Sequence, residues 1–313
     1  MTTPLNPATP SPSLGVCDPM ATAAALPFAA LVTAIEAAAQ EYQDGGIISP
    51  ERLVVPMGPG GVMLSMPATS HDIGIHKLVT VQPGNAALQR PTIHGIVTVC
   101  AAETGQPLCL LDGPELTGRR TAAVSLVAIR RLLGHAPKQV LIVGTGVQSR
   151  HHVKALQALY PDCAVWVRGT SSARAQAFCA EFAATGRVLV CPTEIPAAVD
   201  AVITLTTATQ PVYDEPARVG RVIVGVGAFK PEMAEIGKTT LDGSVLYADD
   251  PAGARHEAGD LMRAGVQWEA VRSLATLLRE EPDRSRAFVF KSVGTGAWDL
   301  AAARVALQSQ GIA

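Results

Sequence analysis

The sequence predicts an α/β chain in which a doubly wound parallel sheet interrupts an α+β unit that the C-terminus rejoins. From residue 138 onward, short continuous apolar runs alternate with helical stretches, the rhythm of a parallel sheet with helical crossovers. Before it, residues 53–111 carry short apolar runs cut by Gly and Pro, the texture of an antiparallel or mixed sheet. The 313 residues leave room for both units, and 48% hydrophobic against 17% charged residues supplies apolar surface for a large core.

Each element follows from a local pattern. Residues 1–20 hold five prolines (Pro4, Pro7, Pro10, Pro12, Pro19) among Ser and Thr, which predicts a flexible leader. Leu26, Leu31, Ile35 and Ala39 recur near the helical period, so one amphipathic helix is expected over 26–42, stopped by Gly45 and Gly46. Strands are expected at 62–66, 73–81, 93–100 and 108–111. Asp112 should end a strand and open a turn, and Thr117 is the candidate cap for a helix over 118–133. There follow strand 139–143, helix 148–159, strand 164–167, helix 172–184 and strands at 188–191, 201–205, 222–226 and 244–247. A strand at 288–290, a glycine turn and a helix from about 297, with Asp299 as its capping acid, complete the chain. The divisions are a leader (1–20), the first part of a split unit (21–120), the parallel-sheet unit (121–286) and the return (287–313).

Charge and composition narrow the partners. Twenty-five basic residues against 27 acidic ones give a net charge of −2, so no field favours nucleic acid or an anionic membrane. Aromatics at 4% leave few platforms for stacking bases, and a small molecule is the expected partner. The six cysteines form no C-x-x-C pair and read as reduced, buried thiols. Arg52 is the first basic residue, and the apolar stretch 21–35 ends at Glu36, too short to span a bilayer. A cytoplasmic location is expected. His151 and His152 are expected on a helix surface, and with no acid or Cys at ligand spacing no metal site is expected. No Gly-x-Ser-x-Gly elbow supports serine hydrolysis.

The chemistry begins at Gly144-Thr145-Gly146-Val147-Gln148-Ser149, a G-x-G-x-x-S turn placed after one strand and before a helix. The first glycine permits the tight turn, the second lets backbone approach a pyrophosphate, and the small serine allows close helix–strand packing. That context makes the parallel unit a Rossmann-type dinucleotide domain. An NAD site wants an acid at the end of the second strand, but that place reads Arg168-Gly169-Thr170-Ser171, with Arg168 at 24 residues past Gly144 (168 − 144) and Arg174 beyond. A guanidinium with hydroxyls suits a 2′-phosphate, so NADPH is the expected cofactor and NADH the weaker one.

Three cations stand in the split unit: Arg52, Lys77 within Ile75-His76-Lys77-Leu78-Val79, and Arg120 after Arg119. Lys77 lies among apolar neighbours, and His76 should face the other side of its strand. The chain resembles the ornithine cyclodeaminase/mu-crystallin family from about residue 26 to 307, through segments 75–81, 111–113, 116–123 and 143–148 and Phe290-Lys291-Ser292-Val293-Gly294. The resemblance implies a homodimer of split subunits, each with a substrate/dimerisation domain, and a nicotinamide cofactor. It implies that Arg52, Lys77 and Arg120 hold a substrate carboxylate, that Ser292 and Val293 lie against the nicotinamide, and that Arg119 is a surface charge. Cyclodeaminases and alanine dehydrogenases of the family carry an acid where this chain has Phe229, which has no carboxylate to bind an ammonium group and suits an apolar ring. Ketimine reductases of the family, mu-crystallin among them, also lack that acid. The resemblance therefore implies NADPH-dependent reduction of cyclic imino acids, Δ1-pyrroline-2-carboxylate and Δ1-piperideine-2-carboxylate, with Lys77 donating or relaying the proton. A cyclodeaminase, an alanine dehydrogenase-like enzyme and a non-catalytic ligand-binding protein are the alternatives.

Overall fold

The structure, a computed structural model, describes residues 14–311. The first sheet contains β1 (Gly15–Val16), β2 (Leu53–Pro56), β3 (Val62–Thr69), β4 (Ile73–Val81), β5 (Ile93–Ala101) and β6 (Pro107–Asp112), in the order β1-β6-β5-β4-β3-β2. It is antiparallel except for β1, which runs parallel to β6. The leader expected over 1–20 is thus partly corrected: residues 1–13 lie outside the described part, whereas Gly15–Val16 is a strand and Pro19 begins a helix.

The helix expected over 26–42 stands as α2 (Phe28–Gln43), and a further helix, α1 (Pro19–Ala25), precedes it where a leader was expected. Pro27 separates the two. Its ring denies the helical region to Leu26, which sits at φ −122° and ψ 61°, and Pro27 itself opens α2. The helix α3 (Gly113–Leu133) starts earlier than expected because Asp112, not Thr117, caps it, accepting from Glu115 N at 2.7 Å with a proline in the first turn. This helix runs through the 120/121 boundary and packs on both sheets, on β5 and on a strand of the second sheet.

The second sheet is parallel throughout. Its strands are β7 (Gln139–Val143), β8 (Ala164–Arg168), β9 (Val188–Val190), β10 (Ala201–Thr204), β11 (Val222–Gly225), β12 (Ser244–Ala248), β13 (Arg272–Ser273) and β14 (Ala287–Lys291), in the order β13-β12-β14-β11-β10-β7-β8-β9. The chain leaves β7 toward β8 and β9, then returns to the other side of β7 with β10. That reversal opens a crevice at the carboxyl ends of β7 and β10, the usual ligand position of an open parallel sheet. Its helices are α4 (Val147–Leu159), α5 (Ser172–Ala180), α6 (Lys238–Asp242), α7 (Pro251–Glu257), α8 (Gly259–Ala264) and α9 (Leu274–Arg279).

Strand alternation divides the core. Val140 and Ile142 pack with α4, α5 and the first sheet's inner residues, while Leu141 and Val143 join Leu241, Ala254 and Leu261 on the opposite face. The closing helix, α10 (Gly296–Gln310), returns the chain to the first sheet, packing on β3, β4 and α2 with Trp298 fully buried. On the same sheet, one cross-strand row (Leu53, Ser65, Leu78, Ile96) faces the other way from the buried row Met66, Lys77, Val97. Leu53 and Ile96 are 62% and 45% exposed there.

Candidate active site

At the first crevice wall, Gly144 N donates to Arg168 O at 2.8 Å and the backbone turns at φ +131°. A Cβ at Gly144 would stand 2.6 Å from Leu205 O, so neither the conformation nor the space admits a side chain. Gly146 opens α4 with no side-chain cap, and a Cβ there would meet nothing within 4 Å. Val147 stands exposed in the first turn, Thr145 lies beside Gly169, and the buried Gln148 Oε1 and Ser149 Oγ have no partner. Free backbone donors at the start of a helix beside open space fit a pyrophosphate, and the donor set fits a dinucleotide cofactor.

Arg168 ends β8, where its Nη2 donates to Thr193 O at 3.0 Å and Pro192 O at 3.2 Å. Its guanidinium is thereby laid across the loop after β9. Thr170, Ser171 and Arg174 are exposed beside it at the start of α5, whose cap is Ser171. Asp162 lies at the opposite end of β8, nearly fully exposed.

The second wall is fixed by an acid that carried no sequence signal. Glu235, fully buried, accepts from Thr206 N and Oγ1 with one oxygen and from Gly227 N and Ala228 N with the other, joining the loops after β10 and β11. Phe229 stands half-buried on this loop, and the Lys230 ammonium lies 5.9 Å from its ring centre.

The three predicted cations meet at the turn between β14 and α10. Lys77, on the inner face of β4, places Nζ 2.6 Å from Asp299 Oδ2, and Arg120 Nε donates to Asp299 Oδ1 at 2.9 Å. Asp299 is therefore not the helix cap expected from sequence: Thr295 caps α10, accepting from Ala297 N, and Asp299 is a fully buried counter-ion. Burial pushes its carboxyl up, but Lys77 and Arg120 outweigh that and hold it below its ordinary value. Burial lowers the Lys77 ammonium to about 8; Asp299 opposes the fall, and Arg120 and Arg52 add to it.

From the other side, Arg52 Nη2 donates to Val293 O at 3.1 Å and Gly294 O at 2.9 Å, while its Nε pairs with Glu257 at 2.8 Å. Gly294 takes φ +81°, and a Cβ there would lie 2.9 Å from Arg120 Nη1. Asp249 holds the turn from behind. It accepts from Ser292 Oγ, Val293 N, Gly294 N and Trp298 Nε1. Ser292 and Val293 thus sit in a braced turn between the cations and the parallel sheet.

Two further expectations are corrected. His151 and His152 are buried where α4 packs on α3, with His152 Nε2 2.9 Å from Ser125 Oγ and Nδ1 2.8 Å from Gln148 O. Burial lowers both to about 4, so they are neutral at pH 7. Arg119 is not a surface charge: its Nε donates to Leu26 O at 2.8 Å and its guanidinium lies 4.1 Å from the Phe28 ring centre. His76 faces away from the cations, as expected, beside Ser65 Oγ at 2.8 Å.

With this geometry in place, the comparisons with known proteins agree with one another. The sequence profile of the ornithine cyclodeaminase/mu-crystallin family matches residues 20–310. A Δ1-pyrroline-2-carboxylate/Δ1-piperideine-2-carboxylate reductase of Azospirillum brasilense is 52% identical over 93% of this chain and 94% of its own. Δ1-pyrroline-2-carboxylate reductase 2 of Burkholderia ambifaria is 51% identical over 92% and 94%. The structure of Thermococcus litoralis Δ1-pyrroline-2-carboxylate reductase with NADH and L-proline superposes at a TM-score of 0.83, with 23% identity over 95% and 97% of the two chains, a likeness of fold.

Proposed function

Since this chain belongs to the ornithine cyclodeaminase/mu-crystallin family, we propose that it reduces cyclic 2-imino acids, taking Δ1-pyrroline-2-carboxylate to L-proline and Δ1-piperideine-2-carboxylate to L-pipecolate. One observation carries the reading. Arg52, Lys77 and Arg120 converge on the turn at 292–295, beside a parallel sheet whose crevice fits a dinucleotide. When bound, a reduced nicotinamide supplies the hydride.

The protein's part is recognition and orientation. Lys77 and Arg120 are held at fixed separation by Asp299, and Arg52 is held by two carbonyls, so the three present donors to a carboxylate without reorganising. A carboxylate fixed there places the adjacent C=N carbon at the Ser292–Val293 turn. With a pKa near 8, Lys77 is also able to exchange a proton close to neutral pH. Phe229, offering an apolar ring where an acid would meet an amine, favours an uncharged ring over ornithine.

Arg168 with Thr170, Ser171 and Arg174 supports NADPH as the preferred cofactor. Arg168→Ala is expected to raise the KM for NADPH by about tenfold or more, the value of one charge-assisted contact, and to leave that for NADH within about twofold. Equal changes with both cofactors would remove Arg168 from the phosphate site.

The exposed apolar row of the first sheet supports a homodimer, since a sheet face carrying Leu53 and Ile96 at the surface is the kind a second copy covers. Ile96→Asp should give a monomer by light scattering where the parent gives a dimer. A dimer in both would place the interface elsewhere.

The experiment that tests the proposed reaction compares cofactor oxidation with Δ1-pyrroline-2-carboxylate against pyruvate plus ammonia. Fast oxidation with the cyclic imine supports the reading; fast oxidation only with the keto acid would make the chain an amino acid dehydrogenase.

A further inference from the structure

The reduction needs a proton at the imine nitrogen, and the acid that other family members carry at the position of Phe229 is missing. In a 2-imino acid the nitrogen and the carboxylate are attached to one carbon. The group that meets the nitrogen must therefore adjoin the groups that meet the carboxylate.

The buried carboxyls near the turn are mostly committed. Asp299 is paired with Lys77 and Arg120, Asp249 accepts five donors, Asp260 pairs with Lys291, and Asp250 caps α7 by accepting from Ala252 N. Glu257, the last residue of α7, differs. Its Oε1 receives Arg52 Nε at 2.8 Å, while its Oε2 is buried with no hydrogen-bond partner. An oxygen enclosed beside a carboxylate-binding arginine and left unpaired is costly unless a ligand donor or acceptor completes it. The charged groups around it are Arg52 just before β2, Asp249 and Asp250 just after β12, and Glu51 beside Arg52, itself 3.7 Å from His256.

We propose that Glu257, through Oε2, is the acid that protonates the substrate nitrogen, standing in for the carboxyl absent at Phe229; this rests on the imine reductase reading above. Burial raises its carboxyl to about 7, Arg52 pulling it down and Asp249, Asp250 and Glu51 pushing it up, so a large share is protonated at neutral pH. The step balances. The Glu257 O–H bond breaks as an N–H bond forms on the ring, the resulting iminium carbon takes the hydride, and the C=N π pair stays on nitrogen. The products are the cyclic amino acid, oxidised nicotinamide and the Glu257 carboxylate, which regains its proton from solvent through its one-fifth exposed side chain.

The reaction therefore falls as pH rises through 7, because the acid form is the donor. The test is the pH profile of kcat with Δ1-pyrroline-2-carboxylate for wild type and Glu257→Gln. The amide oxygen still accepts from Arg52, so the substitution removes the proton and keeps the scaffold. Expected are a wild-type limb near pH 7 and, in the variant, loss of that limb with kcat down about 10²-fold or more and KM within about threefold. A KM rise with unchanged kcat and limb would make Glu257 only a holder of Arg52 and overturn the proposal. So would a wild-type profile flat through pH 7, which needs no variant. A wild type that oxidises no cofactor with any cyclic imine would instead sink the reductase reading itself, and this proposal with it. A readout independent of turnover is the infrared carboxyl band of the free protein: a protonated carboxyl titrating near 7 is expected in wild type and absent from Glu257→Gln.

Discussion

Asp299→Ala is expected to destabilise the protein by about 3–5 kcal/mol, the cost of leaving a buried charge without its partner. Two cations depend on this carboxylate, Lys77 Nζ at 2.6 Å and Arg120 Nε at 2.9 Å, and all three groups are almost wholly enclosed. Both cations are shut off from solvent, so without the carboxylate Lys77 would shed its proton and Arg120 would have to move. Chemical denaturation at pH 7 checks it, read as a lower midpoint at constant slope. The low carboxyl pKa sets the sign of the pH dependence: the stabilisation is present above the carboxylate's ordinary range and is lost as pH falls through its depressed folded value. An unchanged midpoint would mean that the two cations find other partners in the folded state.

Lys77→Met should lower kcat/KM for Δ1-pyrroline-2-carboxylate by about 10²–10³-fold, from the 2–5 kcal/mol cost of truncating one partner of a buried charge pair. Methionine keeps most of the volume on the inner face of β4, but it leaves Asp299 with Arg120 as its remaining cation, so some stability is lost as well and the kinetics are read on the folded variant. Steady-state kinetics separate the roles. Turnover of Δ1-pyrroline, the same ring without the carboxylate, should be poor in wild type and no worse in the variant. An equal loss on both substrates would show that Lys77 serves the nitrogen or the hydride transfer and not the carboxylate.

Much of this was legible in the sequence. The parallel sheet announced itself in continuous apolar strands, and Gly144, Gly146 and Ser149 stand as the G-x-G-x-x-S spacing requires. Lys77 was conspicuous as an ammonium among Ile75, Leu78 and Val79, and it proved buried. What escaped was whatever depends on partners distant in sequence. Asp299 looks like a first-turn helix acid until β4 and α3 bring Lys77 and Arg120 to it. Asp249, Glu235 and Glu257 gave no sign because an acid beside a turn is usually solvated, and nothing local shows that several distant donors will reach two of them while one oxygen of the third is buried with none. His151 and His152 misled for the opposite reason: a polar pair at the start of a helix reads as surface, yet α3 covers it. The helix α1 escaped because Pro19–Ala25 is mostly alanine and shows no apolar period of its own, and Pro27 separates it from α2.

Three cations and a dinucleotide crevice together serve imine reduction. The most direct test is product analysis after incubating the purified protein with Δ1-pyrroline-2-carboxylate and NADPH. One proline formed for each cofactor oxidised is the predicted result. No proline from the imine, with proline and ammonia released from ornithine in the presence of NAD, would contradict it.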